Sequence, residues 1–268
     1  MGTVHENASF WGGQYDWARA GEEWSEGYGG SHAQWFGVIL PRISRFVPTG
    51  SILEIAPGYG RWTHYLRDHC GRLEIVDLSE RCIQACKERF AEDDRITYHV
   101  NDGMSLSMID DASVDFVFSF DSLVHVEADV IAQYLRELAK KLAPDGVGII
   151  HHSNAGEYRR YFEAIDRFPG RVLHQLYYGR AHRMRLLDNV QWRALSMTAE
   201  RFRESSEAAG LQCISQEVIP CGTRRLIDCV STFTTPSSRW ARPNRVLVNP
   251  GFMVEAKIIK RQAPLYSP

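Results

Sequence analysis

The sequence predicts a doubly wound α/β fold, with a seven-stranded and mostly parallel sheet that ends in a C-terminal antiparallel hairpin. Two observations favour this fold. From residue 51 onward, short apolar runs alternate with stretches of helical periodicity, as in chains that form parallel sheets. One of these runs, residues 114–120, is rich in Phe and Val, which is typical of a strand buried on both faces of such a sheet.

The predicted elements follow one another in a regular order. Strands are expected at residues 51–56, 73–76, 96–100, 114–120, 147–152, 211–219 and 226–234. Helices are expected at residues 61–68, 80–90, 131–142 and 198–210. Residues 220–225 contain Pro and Gly and join the last two strands, so we expect a hairpin that closes one edge of the sheet.

Composition and charge disfavour several classes of protein. The 268 residues contain 31 Lys and Arg and 33 Asp and Glu, a net charge of -2, so the chain has no overall positive field to hold a nucleic acid. Its apolar runs are far shorter than the roughly 20 residues of a membrane helix. The first ten residues lack the basic start and apolar run of a secretory signal. We therefore expect a cytoplasmic protein with no nucleic-acid partner and no membrane span.

The glycine turn after the first strand discriminates between two kinds of cofactor. It lies where doubly wound folds bind nucleotides. A dinucleotide motif Gly-x-Gly-x-x-Gly needs a small residue at position 63, where this chain has Thr63. Pro57 also lacks an amide hydrogen that could bind a pyrophosphate. NAD is therefore disfavoured, although a nucleotide-binding oxidoreductase and a non-catalytic relative that only binds a ligand stay open as alternatives.

Four segments, in order, resemble the class I S-adenosylmethionine-dependent methyltransferases: LEIAPGYG at residues 53–60, VDLS at 76–79, NDG at 101–103 and VDFVF at 114–118. The resemblance covers about residues 51–153. It implies a Rossmann-like sheet, S-adenosylmethionine as the cofactor and methyl transfer as the reaction. Ala56 departs from the family, which usually has its first glycine at this position.

The resemblance and the chemistry of the residues assign the same side chains to the cofactor. Glu54 suits the cationic amino-acid end of S-adenosylmethionine, Asp77 can accept both ribose hydroxyls, and Asp102 is placed to accept from the adenine amino group. Taken singly, each Asp can equally be a turn residue. The full expected set is Glu54, Ala56, Pro57, Gly58, Gly60, Asp77, Leu78, Asp102, Gly103, Phe120 and Trp24.

A single methyltransferase domain in four parts is expected. Residues 1–50 would form an N-terminal cap, residues 51–152 the cofactor-binding core, residues 153–197 a helical lid over the substrate, and residues 198–268 a C-terminal helix, hairpin and tail. Prolines near the C-terminus leave no room for a second domain. Tail residues 240–245 are candidates for a homodimer contact as much as for a substrate contact.

The N-terminal cap is dense in aromatic residues, and two roles stay open for them. They either cover the cofactor or pin the N-terminal segment onto the sheet. Trp24 precedes the glycine-rich residues 27–30, a pattern typical of a loop that approaches a ligand closely. The aromatic residues are Trp11, Tyr15, Trp17, Trp24 and Trp35.

The lid insertion is expected to recognise the methyl acceptor. It holds eight Arg, four acidic residues and no Lys. Arginine with aromatic side chains suits a flat or sugar-like acceptor that bears a carboxylate or phosphate. The alternative is a solvated lid whose arginines pair with its own carboxylates. The aromatic residues of the insertion are Tyr158, Tyr161, Phe162, Tyr177, Tyr178 and Trp192.

Three residues at the ends of the fourth and fifth strands are candidates for proton transfer. His152 is the first candidate for the base that accepts a hydroxyl proton, and His125 is the second, with Asp121 to orient the base. A metal site built from His151, His152 and Asp121 is not expected, because adjacent strand residues point to opposite faces.

The sequence therefore predicts a methyltransferase that acts without a metal on a small-molecule or glycan acceptor. Its first expected target is a hydroxyl of a sugar or glycan, anionic or neutral. The second is the nitrogen of a small amine.

Overall fold

The computed structural model describes residues 3–167 and 188–266. Within these ranges the strands are β1 Thr49–Ile55, β2 Cys70–Asp77, β3 Ile96–Val100, β4 Val114–Ser119, β5 Leu142–Ser153, β6 Gln212–Ile219, β7 Asp228–Thr234 and β8 Arg245–Val248. They form one sheet in the order β3-β2-β1-β4-β5-β7-β6-β8. Strands β1 to β5 pair in parallel, whereas β7 is antiparallel to both β5 and β6.

The strand order reverses at β1, which pairs with β2 on one side and with β4 on the other. The connections that leave β1 and β4 therefore diverge, and a crevice opens beyond the carboxyl ends of these strands. Ligands of open α/β sheets bind in such a crevice.

The predicted count of seven strands is wrong, because the described part of the chain contains eight. The extra strand, β8, pairs in parallel with β6, so β8 and not the hairpin forms that edge of the sheet. All four residues of β8 are exposed, and three of them are the apolar Val246, Leu247 and Val248. A strand of this kind lacks the alternation of polar and apolar residues from which a strand is recognised in sequence.

Helices cover both faces of the sheet. In the described ranges they are α1 Val4–Ser9, α2 Ser31–Gln34, α3 Leu40–Ile43, α4 Thr63–Leu66, α5 Glu80–Arg89, α6 Ala128–Lys141, α7 Arg159–Asp166, α8 Ala199–Ala208 and α9 Phe252–Tyr266. Helices α3, α4, α5 and α9 contribute to one apolar cluster, and α6 and α8 to a second. Of the helices described, none is both long and apolar enough to cross a membrane.

The two clusters lie on opposite faces of the sheet because strand side chains alternate. On β4, Phe116 and Phe118 belong to the first cluster, and Val117 belongs to the second. On β5, Ile149 belongs to the first and Ile150 to the second. The next two residues of β5 are the histidines of the predicted site, and the same alternation separates them.

The lid insertion is described only in part. Its described residues include a 3₁₀ turn at Ala155–Tyr158 and helix α7. The predicted acceptor-binding residues Arg171, Tyr177, Tyr178, Arg180, Arg183 and Arg185 lie outside the described residues.

The loop between β1 and α4 contains three residues in the left-handed region. Ala56, Gly58 and Gly60 have φ values of 58°, 57° and 78°. This conformation favours glycine and costs a residue with a Cβ atom about 1 kcal/mol or more. At Gly60 a Cβ atom would also lie 2.5 Å from a ring carbon of Phe90. Gly60 therefore allows the loop to pack against the end of α5.

We expect Gly60→Ala to lower the free energy of unfolding by roughly 2 to 4 kcal/mol, because it adds both backbone strain and a steric clash. Urea denaturation measures this. Gly27→Ala is the control, since a Cβ atom there meets nothing within 4 Å, and its effect should stay within about 0.5 kcal/mol. Equal stability of the two variants would contradict the role of Gly60 in packing.

Candidate active site

Two adjoining cavities open at the carboxyl ends of the central strands. We call them the inner cavity, which lies against the β1–α4 loop, and the outer cavity, which faces the lid insertion. Their volumes are about 80 Å³ and about 460 Å³. The inner cavity is narrow because Trp11, Trp17 and Trp24 of the N-terminal segment close over it.

Most of the expected cofactor residues line the inner cavity. Three of the expected set do not: Glu54, Gly60 and Asp102. The residues that do are Ala56, Pro57, Gly58, Asp77, Leu78, Gly103, Phe120 and Trp24.

The Asp77 carboxylate is a fixed hydrogen-bond acceptor in the wall of the inner cavity. Its Oδ2 accepts from the Gly58 backbone N–H at 3.1 Å, and its Oδ1 accepts from the Ser79 N–H at 2.8 Å. Burial raises its pKa to about 6, although the backbone N–H groups oppose this shift. Each carboxylate oxygen has two lone pairs, so both can accept a further hydrogen bond. Such an acceptor suits a pair of neighbouring hydroxyls.

Glu54 lies beneath the loop and not in the cavity. Its side chain is buried, and its Oε2 accepts a hydrogen bond from Thr63 Oγ1 at 2.5 Å. Burial raises its pKa to about 8. In this structure Glu54 ties the end of β1 to the start of α4.

Asp102 is exposed and turned toward its own loop. Its Oδ1 accepts from the backbone N–H groups of Met104 and Ser105, at 2.9 and 2.7 Å. This is the turn role that the sequence leaves open for each Asp. The neighbouring Gly103 lines the cavity in its place.

Arg61 is a buried cation of the inner cavity that sequence reasoning missed. Its Nη1 donates to Ser25 Oγ at 2.8 Å, and its Nη2 donates to Asp121 Oδ2 at 2.9 Å. Its guanidinium also lies over the Trp62 ring, 4.2 Å from the centroid. The signal that could have found it is its position directly after the glycine turn.

The N-terminal aromatic residues divide between the two expected roles. Trp17 lies on the glycine loop and stacks on Tyr59, with ring centroids 4.6 Å apart. Trp35 is fully buried in the first apolar cluster. Asn7 of α1 also lines the inner cavity, and nothing in the sequence pattern marked it.

Within the described ranges, four side chains line both cavities: Trp11, Trp24, Asp121 and His125. The boundary between the two cavities therefore holds one imidazole and one carboxylate. The rest of the described lining of the outer cavity is Tyr28, Val124, Asn189, Gln191, Trp192, Arg193 and Cys221.

His125 is held in one tautomer by the lid insertion. Its Nδ1 lies 3.1 Å from the Trp192 carbonyl oxygen. A carbonyl oxygen only accepts, so Nδ1 carries the proton and Nε2 carries the lone pair. Burial, with a contribution from the charge of Arg193, lowers the pKa of His125 to about 4. His125 is thus a neutral imidazole with an available acceptor nitrogen.

The structure places His152, the first candidate base, outside both cavities. Its Nδ1 lies 2.8 Å from the Ser153 carbonyl oxygen and its Nε2 lies 2.8 Å from Ser231 Oγ. The ring stacks on Phe202 of α8 at 4.3 Å, on the second face of the sheet. Both nitrogens are engaged and burial lowers the pKa to about 3, so we do not propose His152 as the base.

Asp121 does not orient either candidate base. Its carboxylate pairs with Arg61, and its Oδ1 lies 3.2 Å from Nδ1 of His151. The Nε2 of His151 lies 3.3 Å from Asp228 Oδ2, and Asp228 binds Arg193 through both carboxylate oxygens, at 3.0 and 2.9 Å. Across residues 3–167 and 188–266, no group of three or more His, Cys, Asp or Glu side chains is arranged to hold a metal ion.

The stability of the fold should depend on the charge of His151. Burial alone would lower its pKa, but the carboxylates of Asp121 and Asp228, which lie 3.2 and 3.3 Å from its two ring nitrogens, raise the pKa to about 9. An unfolded His has a pKa of about 6.5. The stabilisation is therefore complete below about pH 6.5, declines as the pH rises, and is lost above about pH 9.

We expect His151 to account for a fall of roughly 2 to 3 kcal/mol in the free energy of unfolding between pH 6.5 and pH 9.5, beside the fall caused by Glu54, whose pKa burial raises to about 8. Urea denaturation across this range measures it. His151→Gln removes the titrating group, so the variant should lose less over the same range. Parallel pH profiles of the two proteins would contradict the assignment of a charged His151.

Comparison with known proteins finds a likeness to methyltransferases in part of the chain. Residues 52–146 match the family model described as a methyltransferase domain. The ribosomal RNA small subunit methyltransferase A of Geobacter sulfurreducens is 34% identical over 73 residues, which make up 26% of this chain and 26% of that protein. The match thus spans about a quarter of the length of that curated relative.

Two solved structures resemble this chain in fold. The N-methyltransferase NodS from Bradyrhizobium japonicum, in complex with S-adenosyl-L-homocysteine, is 16% identical with a TM-score of 0.55, over 88% of this chain and 100% of that chain. A chain of the complex between the Haloferax volcanii Trm112 activator and a methyltransferase is 20% identical with a TM-score of 0.54, over 82% and 96%. At these identities the likeness concerns the fold.

The family match covers the segment that contains β1, the glycine loop, Asp77 and β4, which are the elements that build the inner cavity. The segment of residues 52–146 is therefore similar to a methyltransferase domain.

Proposed function

We propose that this chain transfers the methyl group of S-adenosylmethionine to a hydroxyl of a small, neutral, sugar-like acceptor. The inner cavity would hold the cofactor and the outer cavity the acceptor. The observation that carries the proposal is the boundary between them, where the His125 imidazole lines both cavities.

The residues of the inner cavity fit S-adenosylmethionine in their chemistry. The Asp77 carboxylate suits the two ribose hydroxyls, and the backbone at Gly58, with its positive φ, allows a close approach. A guanidinium has five N–H donors, so Arg61 retains donors for a carboxylate beyond its bonds to Ser25 and Asp121. Because Trp17 lies over the loop, we expect the N-terminal segment to move outward when the cofactor binds.

The outer cavity suits a sugar ring better than an anion. Trp24, Tyr28 and Trp192 offer aromatic faces against which the C–H faces of a sugar can pack, and Asn189 and Gln191 offer amide groups for its hydroxyls. The cavity volume, about 460 Å³, suits a small ligand.

The charge of Arg193 does not favour an anionic acceptor. Its guanidinium is bound through two hydrogen bonds to the buried carboxylate of Asp228. Arg225 pairs with Asp188, and Arg159 donates to the Leu195 carbonyl. Arg193 thus joins the described part of the insertion to β7, and Arg225 joins it to the hairpin connection, so we propose a neutral acceptor in place of the phosphate- or carboxylate-bearing one.

Proton transfer in this proposal depends on His125. The bound cofactor supplies an electrophilic methyl group that an acceptor oxygen can attack. His125 Nε2 accepts the hydroxyl proton, while its Nδ1–H bond to the Trp192 carbonyl fixes the orientation of the ring.

N-methylation of a small amine is the second candidate. The likeness in fold to the N-methyltransferase NodS favours it. A neutral amine attacks without a base, so this reaction would not require His125. A panel of sugars, nucleotide sugars and amines, incubated with methyl-labelled S-adenosylmethionine and analysed by mass spectrometry, separates the two candidates. Label on a neutral sugar supports the proposal, and label on an amine alone rejects it.

We expect Asp77→Ala to weaken S-adenosylmethionine binding by roughly 1.5 to 3 kcal/mol, because two hydrogen bonds to a charged acceptor are lost. Calorimetry measures the affinity. Asp102→Ala is the matched control, since Asp102 follows the neighbouring strand but lies outside the cavity lining, and its affinity should stay close to that of the wild type. A similar loss in both variants would support the assignment of Asp102 to the adenine.

We expect His125→Gln to lower kcat by about 10² to 10⁴, the usual contribution of a general base, with little change in cofactor affinity. His152→Gln should retain kcat. Since the pKa of His125 is about 4, the wild-type kcat should be flat above about pH 5 and fall below it. Full turnover by His125→Gln would reject the base and favour an amine acceptor.

A further inference from the structure

Five ionisable side chains form a continuous row from the inner cavity to the outer cavity. They alternate in type: Arg61, Asp121, His151, Asp228 and Arg193. The successive nitrogen–oxygen distances are 2.9 Å, 3.2 Å, 3.3 Å and 2.9 Å. Each residue comes from a different segment, namely the β1–α4 loop, the end of β4, β5, β7 and the lid insertion.

The row is buried, so its charges depend on one another. The His151 side chain is 2% exposed and Asp228 is fully buried. Burying an ion is costly unless an opposite charge lies beside it, and removing one partner of a buried pair leaves an uncompensated charge. Each interior member of this row has a partner on both sides. The loss of a charge at one end therefore changes the position and the electrostatic energy of the next side chain in the row.

Asp121 is the member through which the row reaches both cavities. Asp121 lines both cavities. Its backbone φ is 66°, in the left-handed region that residues other than glycine rarely adopt. Arg61 holds one carboxylate oxygen and His151 lies beside the other. This strained residue keeps its position because both oxygens are restrained.

We propose that His151 is a positioning residue that lies between Asp121 and Asp228. Through these two carboxylates it couples the binding of the cofactor by Arg61 to the pairing of Arg193 with Asp228 beside the acceptor. This inference rests on the proposed assignment of the two cavities. His151 itself would contact neither ligand, because its ring lines neither cavity. It packs instead on Phe120, with ring centroids 4.6 Å apart.

The coupling predicts that Arg193 affects cofactor binding without contacting the cofactor. Its side chain lines the outer cavity but not the inner one. If the row acts as a unit, loss of the Arg193 charge weakens cofactor binding from a distance, and a lysine, which keeps the charge but not both hydrogen bonds to Asp228, recovers part of it. A purely structural role would make both changes act only on stability.

The test is the affinity for S-adenosylhomocysteine, measured by calorimetry on the full chain beside the melting temperature. We expect His151→Gln and Arg193→Met each to raise the Kd by about 5-fold or more, the usual size of coupling between sites. Arg193→Lys should bind more tightly than Arg193→Met but more weakly than the wild type, because lysine keeps the charge and loses one of the two hydrogen bonds to Asp228. The double variant His151→Gln with Arg193→Met should bind no worse than His151→Gln alone, because the row is already interrupted.

His152→Gln is the matched control, since His152 is the next residue of the same strand, equally buried, on the opposite face. It should lower the melting temperature and leave the Kd unchanged. A wild-type Kd in both Arg193→Met and His151→Gln, an equal loss in His152→Gln, or additive losses in the double variant would overturn the inference. If His151→Gln does not fold, the comparison of Arg193→Met with Arg193→Lys decides it alone.

The same measurement separates the two proposals. A wild-type protein that binds S-adenosylhomocysteine while the variants bind equally well rejects only the positioning role. A wild-type protein that does not bind it rejects both the cofactor assignment and the coupling.

Discussion

The parallel pairing of β1 with both β2 and β4 is the constraint on which the candidate site depends. Ile55 pairs with Val76, and Glu54 pairs with Phe118. This register brings the ends of the three strands to one level and leaves the crevice beyond them. The residues that reach this level are Ala56, Asp77 and Phe120, all of which line the inner cavity. A shift of one residue in either pair would turn these side chains to the other face.

Most of this frame could be predicted from the sequence, because strand positions follow from apolar runs and the crevice follows from the strand order. The directions of individual side chains could not. Asp77 and Asp102 both lie where a strand ends, yet one carboxylate lies in the cavity wall and the other caps its own turn. His151 and His152 must face opposite sides, but a single sequence does not reveal which helices cover which side. The exposed strand β8 had no apolar alternation to mark it.

The pairing of buried charges changes what the arginine content indicates for the described part of the lid insertion. Arginine with aromatic residues predicts an anion site when the guanidinium groups are available. Here Arg193 and Arg225 bind Asp228 and Asp188, which are buried partners contributed by the sheet and by the insertion itself. Arg193 thereby fixes the described part of the insertion on β7, and the aromatic and amide groups of the outer cavity remain for the proposed acceptor. Pairing of this kind depends on tertiary contacts, which residue counts do not contain.

The environment of His125 connects the electrostatics of the fold to the choice between oxygen and nitrogen acceptors. Burial and the nearby Arg193 lower its pKa to about 4, so His125 is a weak base in the free protein. Such a base contributes to catalysis through the fixed direction of its Nε2 lone pair. It also stays neutral at a pH where a stronger base would already carry a proton. This arrangement suits a hydroxyl whose proton leaves as the new bond forms. It gives no advantage to an amine, which needs only to arrive unprotonated. The fixed tautomer and the place of His125 in the lining of both cavities are therefore the grounds on which we propose the oxygen acceptor.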